Sequence, residues 1–522
     1  MKRVCTCTLV VLLTVGASIV ARHVAPEEAQ LVVASLLRSQ SAGGNRPQSL
    51  QDDTEPVRPL YSRDDKIVLG YVYELSPRGY VVVSADTDLT PVIAYSLQSD
   101  FPWEPEESNV LLDLLQTDLT MRMKALEQGY VPAEIRARNA TSWSTMSTTA
   151  VREQDSQSDV IIGPLLEAPT WAQKAPWNDL CPVDSTTSAR SAAGCAATAL
   201  AQILNYYRYP SSVTFSSSDS YVSLTKQIRI DATSASLDEI EYGSKAHHNP
   251  SDAMMARLSL AAGVSIEMDY TSAGSGAYAV DIAVALAGGD LPITSSRGVR
   301  PAVWRYESAD IRTCVNSHWG DPFYQTADAF YGDLREDLEE GQPAVLCVVT
   351  AGTSTGHILI CDGYETSSSR YHLNLGWGGR SDGWYALPED MPPGYNIVEY
   401  GILNIQPPVG STPIADHGNG HDQSTVDAHS VASEILAYPN PFATQVTFSY
   451  TGDMTAATLS ISVYDPSGRL VWSGEASGAT ETTWDGRDRD GERLANGIYL
   501  YVALVTDGSG TSVGRGKVFV MR

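Results

Sequence analysis

The feature that most constrains this chain is an alanine-rich run that opens on a glycine–cysteine pair, Ser191-Ala-Ala-Gly-Cys195 through Tyr207. Residues 196, 199, 200, 203, 204 and 207 fall at i, i+3, i+4, i+7, i+8 and i+11, which predicts a helix with a buried stripe. Gly194 supplies a permissive backbone just ahead of it, so Cys195 falls at or beside the helix N-terminus. The unpaired amides and the macrodipole there favour a thiolate, the reactive form of cysteine, and offer N–H groups to a developing oxyanion. Taken alone, such a cysteine is more simply a small core residue, because free cysteine is among the most buried residue types.

A second motif shifts that balance. Gly356-His357-Ile-Leu-Ile-Cys-Asp-Gly363 places a histidine at the start of an apolar strand, after the Gly/Ser/Thr turn 351–356, and Tyr371-His-Leu-Asn374 reads as the next strand. Thiolate catalysis needs a histidine to take the sulfur's proton and return it to the leaving amine, with a third group to orient the imidazole. Asp362 fails as that third group: five residues along one strand, it points to the opposite face roughly 16 Å away. Asn374 qualifies on a condition. In a symmetric hairpin of 357–362 with 371–376 it lies diagonally near His357 on the same face, and a one-residue slip reverses this.

The 522 residues are too many for one core and imply about three folded units. Lys2 and Arg3, an apolar run from Leu9 to Val15 and small residues at Ala17 and Ala21 read as a secretory signal over 1–21, and no later stretch is long enough to cross a membrane. Residues 22–163 form an α+β unit plus linker: Ile67–Leu75 and Gly79–Ser84 alternate like strands, Asn109–Leu126 is helical, and the Ser/Thr-rich stretch from Asn139 to Ser158 reads as an exposed linker. Residues 164–407 mix helix and strand signals, and 408–434 form a Gly/Pro/Asp/His-rich tether. Short alternating strands with Asp/Gly/Pro turns make 435–522 an all-β sandwich of immunoglobulin-like type.

Excess acid, with a formal net charge of −27, disfavours nucleic-acid and anionic-membrane partners. The five cysteines left after the signal, 181, 195, 314, 347 and 361, are too sparse for a disulfide framework. Cys347 and Cys361 sit in apolar strand runs and read as core, and Cys181 and Cys314 lack partners at metal-ligand spacing. His247-His248 reads as solvated loop, Asp488-Arg-Asp490-Gly491 as a turn, and no His-Glu-x-x-His helix supports a metallopeptidase, so no metal or cofactor is expected. Asn139-Ala-Thr141 has the pattern of a glycosylation acceptor.

Taken together, Trp171-Ala-Gln173-Lys-Ala-Pro-Trp-Asn178-Asp-Leu-Cys-Pro, the Gly194-Cys195 helix, Met268-Asp-Tyr270 with Gly274-Ser275, Gly356-His357 and Asn374-Leu-Gly-Trp377-Gly-Gly379 occur in the order of the streptopain family. Gly79-Tyr-Val-Val-Val-Ser-Ala-Asp86 and Pro91-Val-Ile-Ala-Tyr-Ser96 resemble that family's pro-region. The resemblance implies a secreted cysteine endopeptidase of papain-like α+β fold, held as a zymogen by its own propeptide and acting on protein or peptide substrates. It implies Cys195 as nucleophile, His357 as base, and Gln173 with the Cys195 amide as oxyanion hole. Asn374 and Trp377 would orient the histidine, and Ser275 and Gly356 would line the substrate cleft. Leu375 stands where the family segment has its first Trp, so one aromatic ring beside the imidazole is absent, and a catalytically silent surface adhesin is the competing reading.

Tyr438-Pro-Asn-Pro-Phe442, Val463-Tyr-Asp-Pro-Ser-Gly-Arg469, Trp484-Asp-Gly-Arg-Asp488 and Asn496-Gly-Ile-Tyr499-Leu-Tyr501 are similar to type IX secretion sorting domains and to flagellar-hook-cap immunoglobulin-like domains. That resemblance implies a Gram-negative source, secretion machinery as a partner, and a secreted or outer-surface location.

Overall fold

The computed structural model describes residues 23–408 and 435–520, apart from short stretches within them, the longest being 149–160 and 289–301. The expected signal over 1–21, the 408–434 tether from residue 409 on, the turn at 351–355 and His247-His248 lie outside the described residues. Two compact units emerge, 1–415 and 416–522.

The first unit opens with helix α1 (Pro26–Ala42), strands β1 (Val68–Ser76), β2 (Tyr80–Ser84) and β3 (Val92–Ser96), and helices α2 (Val110–Glu127) and α3 (Ala133–Ser147). Gly79 makes the β1–β2 turn at φ +119°, where a Cβ would meet the Ser96 carbonyl at 2.5 Å. Strands β2 and β3 are buried at every position, because the sheet is covered on both faces. Tyr71, Tyr73, Val81 and Val83 pack with Val32, Leu36 and Trp143 on one side, and Val72, Tyr80 and Val82 pack with Leu111, Leu115 and Leu119 on the other.

The stretch expected to be an exposed linker is, over 139–147, the second half of α3. Trp143 is the reason: it is buried and its indole N–H donates to the Leu89 carbonyl at 2.9 Å. The Asn139 side chain is buried too, donating its amide to the Asp88 carbonyl at 2.7 Å, which is not the presentation of a glycosylation acceptor. Side-chain packing of one tryptophan overrides a Ser/Thr composition that by itself disfavours a helix.

The rest of the unit carries α4 (Cys195–Tyr207), α5 (Asp252–Ser265), α6 (Ala279–Ala287), β4 (Ser308–Arg312), α7 (Ala327–Glu339), β5 (Ala344–Val348), β6 (His357–Glu365), β7 (Arg370–Asn374), β8 (Gly383–Tyr385) and β9 (Val398–Gln406). These strands form one sheet with the N-terminal ones, in the order β1-β2-β3-β8-β7-β6-β5-β9-β4. The join is the antiparallel β3–β8 pair, Trp384 opposite Tyr95 and Tyr385 opposite Ala94. The N-terminal part and the 164–407 part that composition marks out contribute strands to this one sheet.

Helix α4 is buried from Ala196 to Tyr207, all round and not only along the predicted stripe, since α5 packs on it and β6 runs beneath it. Alanines allow that close approach. In the second unit a three-stranded sheet (Ile435–Tyr438, Val446–Tyr450, Glu481–Trp484) and a four-stranded sheet (Leu470–Ser477, Thr458–Tyr464, Gly497–Asp507, Gly510–Val520) are antiparallel, and their core holds Phe448, Val463, Trp484 and Tyr501. The expected immunoglobulin-like sandwich is what forms.

Gly194 sits just before α4 at φ +88°, and a Cβ there would meet Met268 Cε at 2.8 Å and the Ser275 carbonyl at 2.9 Å. Both the left-handed conformation and the backbone contact oppose a side chain. The Gly194→Ala chain is expected to lose about 1–3 kcal/mol of stability, read as a drop in Tm and a lower denaturant midpoint. An unchanged midpoint would contradict the contact.

Candidate active site

Three elements meet at the site: the N-terminus of α4, the start of β6 and the loop after β7. Cys195 is partly exposed at the first residue of α4, and His357, the first residue of β6, is buried. The two side chains are hydrogen-bonded. Burial pushes the Cys195 thiol up, but the hydrogen bond and charge of His357, with the Ile358 and Ala196 amides, outweigh it, and the thiol ends below its ordinary range. The imidazole is the mirror case. Burial pushes it down, while Cys195 and the Leu375 carbonyl pull harder in the other direction, so His357 is raised above the ordinary imidazole value. Opposite shifts in touching partners favour a thiolate–imidazolium pair.

The other four described cysteines behave differently, all free and all raised by burial: Cys181, Cys314 and Cys347 to about 12, and Cys361 well above its usual value. For Cys347 and Cys361 this environment agrees with their expected role as core packing residues. Desolvation acts on every one of the five; only Cys195 has a histidine to overcome it.

Gln173 is brought to the same place by the segment before α4, whose Ala193 amide donates to the Gln173 carbonyl at 2.9 Å. Its side chain is only 6 % exposed, and its Nε2 has no hydrogen-bond partner among the described residues. A buried amide donor left unsatisfied costs free energy, and it lies beside a helix N-terminus whose own amides are unpaired.

Histidine orientation departs from the sequence reading. A β-bulge between Cys361 and Gly363 slips the β6–β7 register, so Asn374 stands opposite Ile360 and not diagonal to His357 on its face. The Asn374 side chain therefore does not meet the imidazole. His357 Nε2 instead donates to the Leu375 carbonyl at 2.9 Å, leaving Nδ1 for the sulfur. Asn374 acts one bond removed: its Oδ1 accepts from the Gly376 amide at 3.0 Å, and that amide belongs to the same peptide group as the Leu375 carbonyl. Gln202 of α4 also donates to Asn374 Oδ1, at 3.4 Å. Trp377 does lie beside the imidazole, rings near parallel at 21° with centroids 6.2 Å apart.

The two expected cleft residues are placed unequally. The Ser275 hydroxyl is buried and committed, donating to the Ala192 carbonyl at 2.7 Å and accepting the Thr271 amide at 3.0 Å, so it fastens the 271–275 loop beside the nucleophile and has no free face for substrate. Its carbonyl lies against Gly194, where a Cβ would meet it at 2.9 Å. Gly356 is exposed at the head of β6, where a Cβ would meet the Val348 carbonyl at 2.6 Å. Asp362, rejected as an orienter, is indeed elsewhere: one oxygen accepts the Leu166 amide at 3.0 Å and the other contacts His372 Nδ1 at 2.6 Å.

Residues outside the sequence reading also touch the site. The N-terminal strands hold the loop that follows Trp377: Ser99 Oγ donates to the Gly379 carbonyl at 2.6 Å and Ser96 Oγ to the Asp382 carbonyl at 2.8 Å. A cavity of about 650 Å³ lies between the two parts, lined by Gln98, Phe101 and Trp103 on one side and Trp377, Gly379 and Arg380 on the other. The Leu375 carbonyl could not have been found from residue identity, because any residue supplies one.

Three parts of the chain match known protein families. Residues 21–123 match the Spi protease inhibitor family and residues 442–509 the FlgD Ig-like domain. Streptopain of Streptococcus pyogenes is 23 % identical over 384 residues, covering 66 % of this chain and 84 % of that protein. The thiol protease/hemagglutinin PrtT of Porphyromonas gingivalis is 24 % identical over 395 residues, with 74 % of this chain matched to 39 % of PrtT. Among solved structures, a prointerpain A fragment from Prevotella intermedia matches 66 % of this chain at 22 % identity and a TM-score of 0.45. Residues 171–385, which carry Cys195, His357 and the loop that follows β7, match the Peptidase C10 family.

Proposed function

We propose that this chain is the zymogen of a secreted cysteine endopeptidase. The observation that carries the reading is the contrast among five cysteines: the one thiol lowered below its ordinary range is the one bonded to a raised histidine. In the proposed reaction the Cys195 thiolate attacks a peptide carbonyl carbon. The carbonyl oxygen takes the negative charge and is held by the Cys195 amide and Gln173 Nε2. The His357 imidazolium gives its proton to the departing amine, the C–N bond breaks and a thioester forms. Neutral His357 then takes a proton from water, whose oxygen attacks the thioester and releases the acid and the thiolate.

The inhibitory role of the N-terminal segment is supported by its Spi-inhibitor match and by its grip on 379–386, where Arg122 also donates to the Ala386 carbonyl at 2.5 Å. Activation then requires a cut within 148–163, between α3 and the peptidase domain. The basic, apolar N-terminus and the immunoglobulin-like tail support export to the outside of a Gram-negative-type cell, with passage by a type IX system as the proposed route.

Hydrolysis of an unfolded protein tests the assignment. The chain processed within 148–163 is expected to cleave it and the Cys195→Ala chain to show none; equal activity in both would remove the proposal, and a processed wild type without activity would favour the silent-adhesin reading. Gln173→Ala is expected to lower kcat by about 10²–10³ with KM little changed.

The shifts also set a pH profile. The pair is intact above the pH at which the lowered thiol protonates and below that at which the raised imidazole deprotonates, so kcat/KM should fall on both sides. Alkylation of Cys195 at pH 6 is expected to be about 10²-fold faster than in His357→Ala, where an ordinary thiol is almost wholly protonated. Equal alkylation rates in the two chains would mean that no ion pair forms.

A further inference from the structure

We propose that Asp382 is a positioning residue for the catalytic histidine, acting by clamping the main chain of Leu375, whose carbonyl holds the imidazole. The inference rests on the cysteine-peptidase reading above and adds to it a residue that sequence did not single out.

The geometry is a short chain of contacts. His357 Nε2 donates to the Leu375 carbonyl at 2.9 Å, and the Leu375 amide donates to Asp382 Oδ1 at 2.9 Å. On the other flank Asn374 Oδ1 takes the Gly376 amide at 3.0 Å. The N–H on each side of Leu375 is thus fixed by a side-chain oxygen, and the carbonyl between them has little freedom to turn away from the ring. Such fixing matters because Leu375–Ser381 is loop, with Gly376, Gly378 and Gly379 all at positive φ. A backbone with three glycines in four residues is permissive, and an unclamped carbonyl would swing.

Asp382 is itself held. Its own carbonyl accepts from Ser96 of the N-terminal segment, and the next three residues form β8. Around its carboxylate lie His372 of β7, which also contacts Asp362 of β6, and the buried tyrosine pair Tyr80 and Tyr385. Asp382 does not line the cavity beside Trp377 and is not among the groups that act on the Cys195 sulfur; it reaches the imidazole only through the Leu375 main chain. A positioned acceptor that keeps a histidine ring in one orientation is what the third member of a nucleophile–base–orienter set does; here the job is divided between a peptide carbonyl and the two side chains that pin it.

The test uses the processed chain with Asp382→Ala, Asp382→Ser and Asp382→Asn. Ser is too short to reach the Leu375 amide but stays polar, so it decides the matter if the Ala chain does not fold; Asn keeps an acceptor. Thermal unfolding confirms folding, and three quantities are read: kcat, KM and the pH profile of Cys195 alkylation by iodoacetamide. Ala and Ser are expected to lower kcat about tenfold to a hundredfold, to leave KM near wild type, and to move the acidic limb of alkylation to higher pH, because a loosely held imidazolium stabilises the thiolate less. Asn is expected to behave close to wild type in all three. A folded Ala or Ser chain with wild-type kcat and profile overturns the inference, as does a loss confined to KM or an Asn chain as impaired as Ala. In those cases the wild type still hydrolyses protein and alkylates early, so the peptidase reading stands. A wild type that does neither overturns the reading and the inference together.

Discussion

A thiolate and an imidazolium inside a protein are each unfavourable, and the site survives only because each makes the other possible. Burial alone raises the Cys195 thiol and lowers the His357 imidazole, toward a neutral and unreactive pair. What reverses this is proximity, plus amides at the start of α4 and on β6 that turn their N–H groups to the sulfur. The rest of the peptidase part can be read as what keeps those groups in place. An alanine-rich helix packs close enough to the sheet to bring its N-terminus to the first residue of β6, and Gly194 allows the chain to enter that helix against Met268 and the Ser275 carbonyl. The same burial without a histidine leaves Cys181, Cys314, Cys347 and Cys361 protonated.

The loop between β7 and β8 is where two demands converge. It carries the carbonyl and the tryptophan that hold His357, and it is gripped by the N-terminal segment through Ser96, Ser99 and the β3–β8 pairing. An exposed strand edge is a sticky, reactive surface, and β3 covers that of β8. Removal of the N-terminal segment would therefore do more than open a cavity beside Trp377; it would also release one side of the segment to which the histidine is tied. Asn374 and the Asp382 carboxylate belong to the peptidase part itself, so the clamp on Leu375 remains after such a cut.

Much of this was legible in the sequence, for identifiable reasons. The helix at Cys195 has an apolar period that no strand could satisfy, and β1, β2 and α2 appear within a residue or two of where alternation and 3.6-residue spacing put them. Gln173, singled out by its motif, carries a buried Nε2 without a hydrogen-bond partner among the described residues, which is compatible with the donor role expected for it. What escaped was decided by single contacts. A tryptophan turned a Ser/Thr-rich stretch into α3, and one extra residue in β6 moved Asn374 from diagonal to opposite. Period-2 reasoning has no defence against a bulge, because a slip of one residue exchanges the two faces of a strand.

The substitution at 375 shows why residue identity was a poor guide at this point of the site. A leucine where the resembling segment has tryptophan looked like the loss of a support for the imidazole. The group from residue 375 that meets His357 is its carbonyl, and every residue has one. The Leu375 side chain is fully buried in the core and packs away from solvent, so it anchors the main chain that carries this carbonyl. The ring beside the imidazole comes from Trp377, two residues on, which the sequence does retain. Function in this loop is thus written in the backbone and in the acceptors that hold it, and a change of side chain at 375 leaves the imidazole's hydrogen bond intact as long as those acceptors remain.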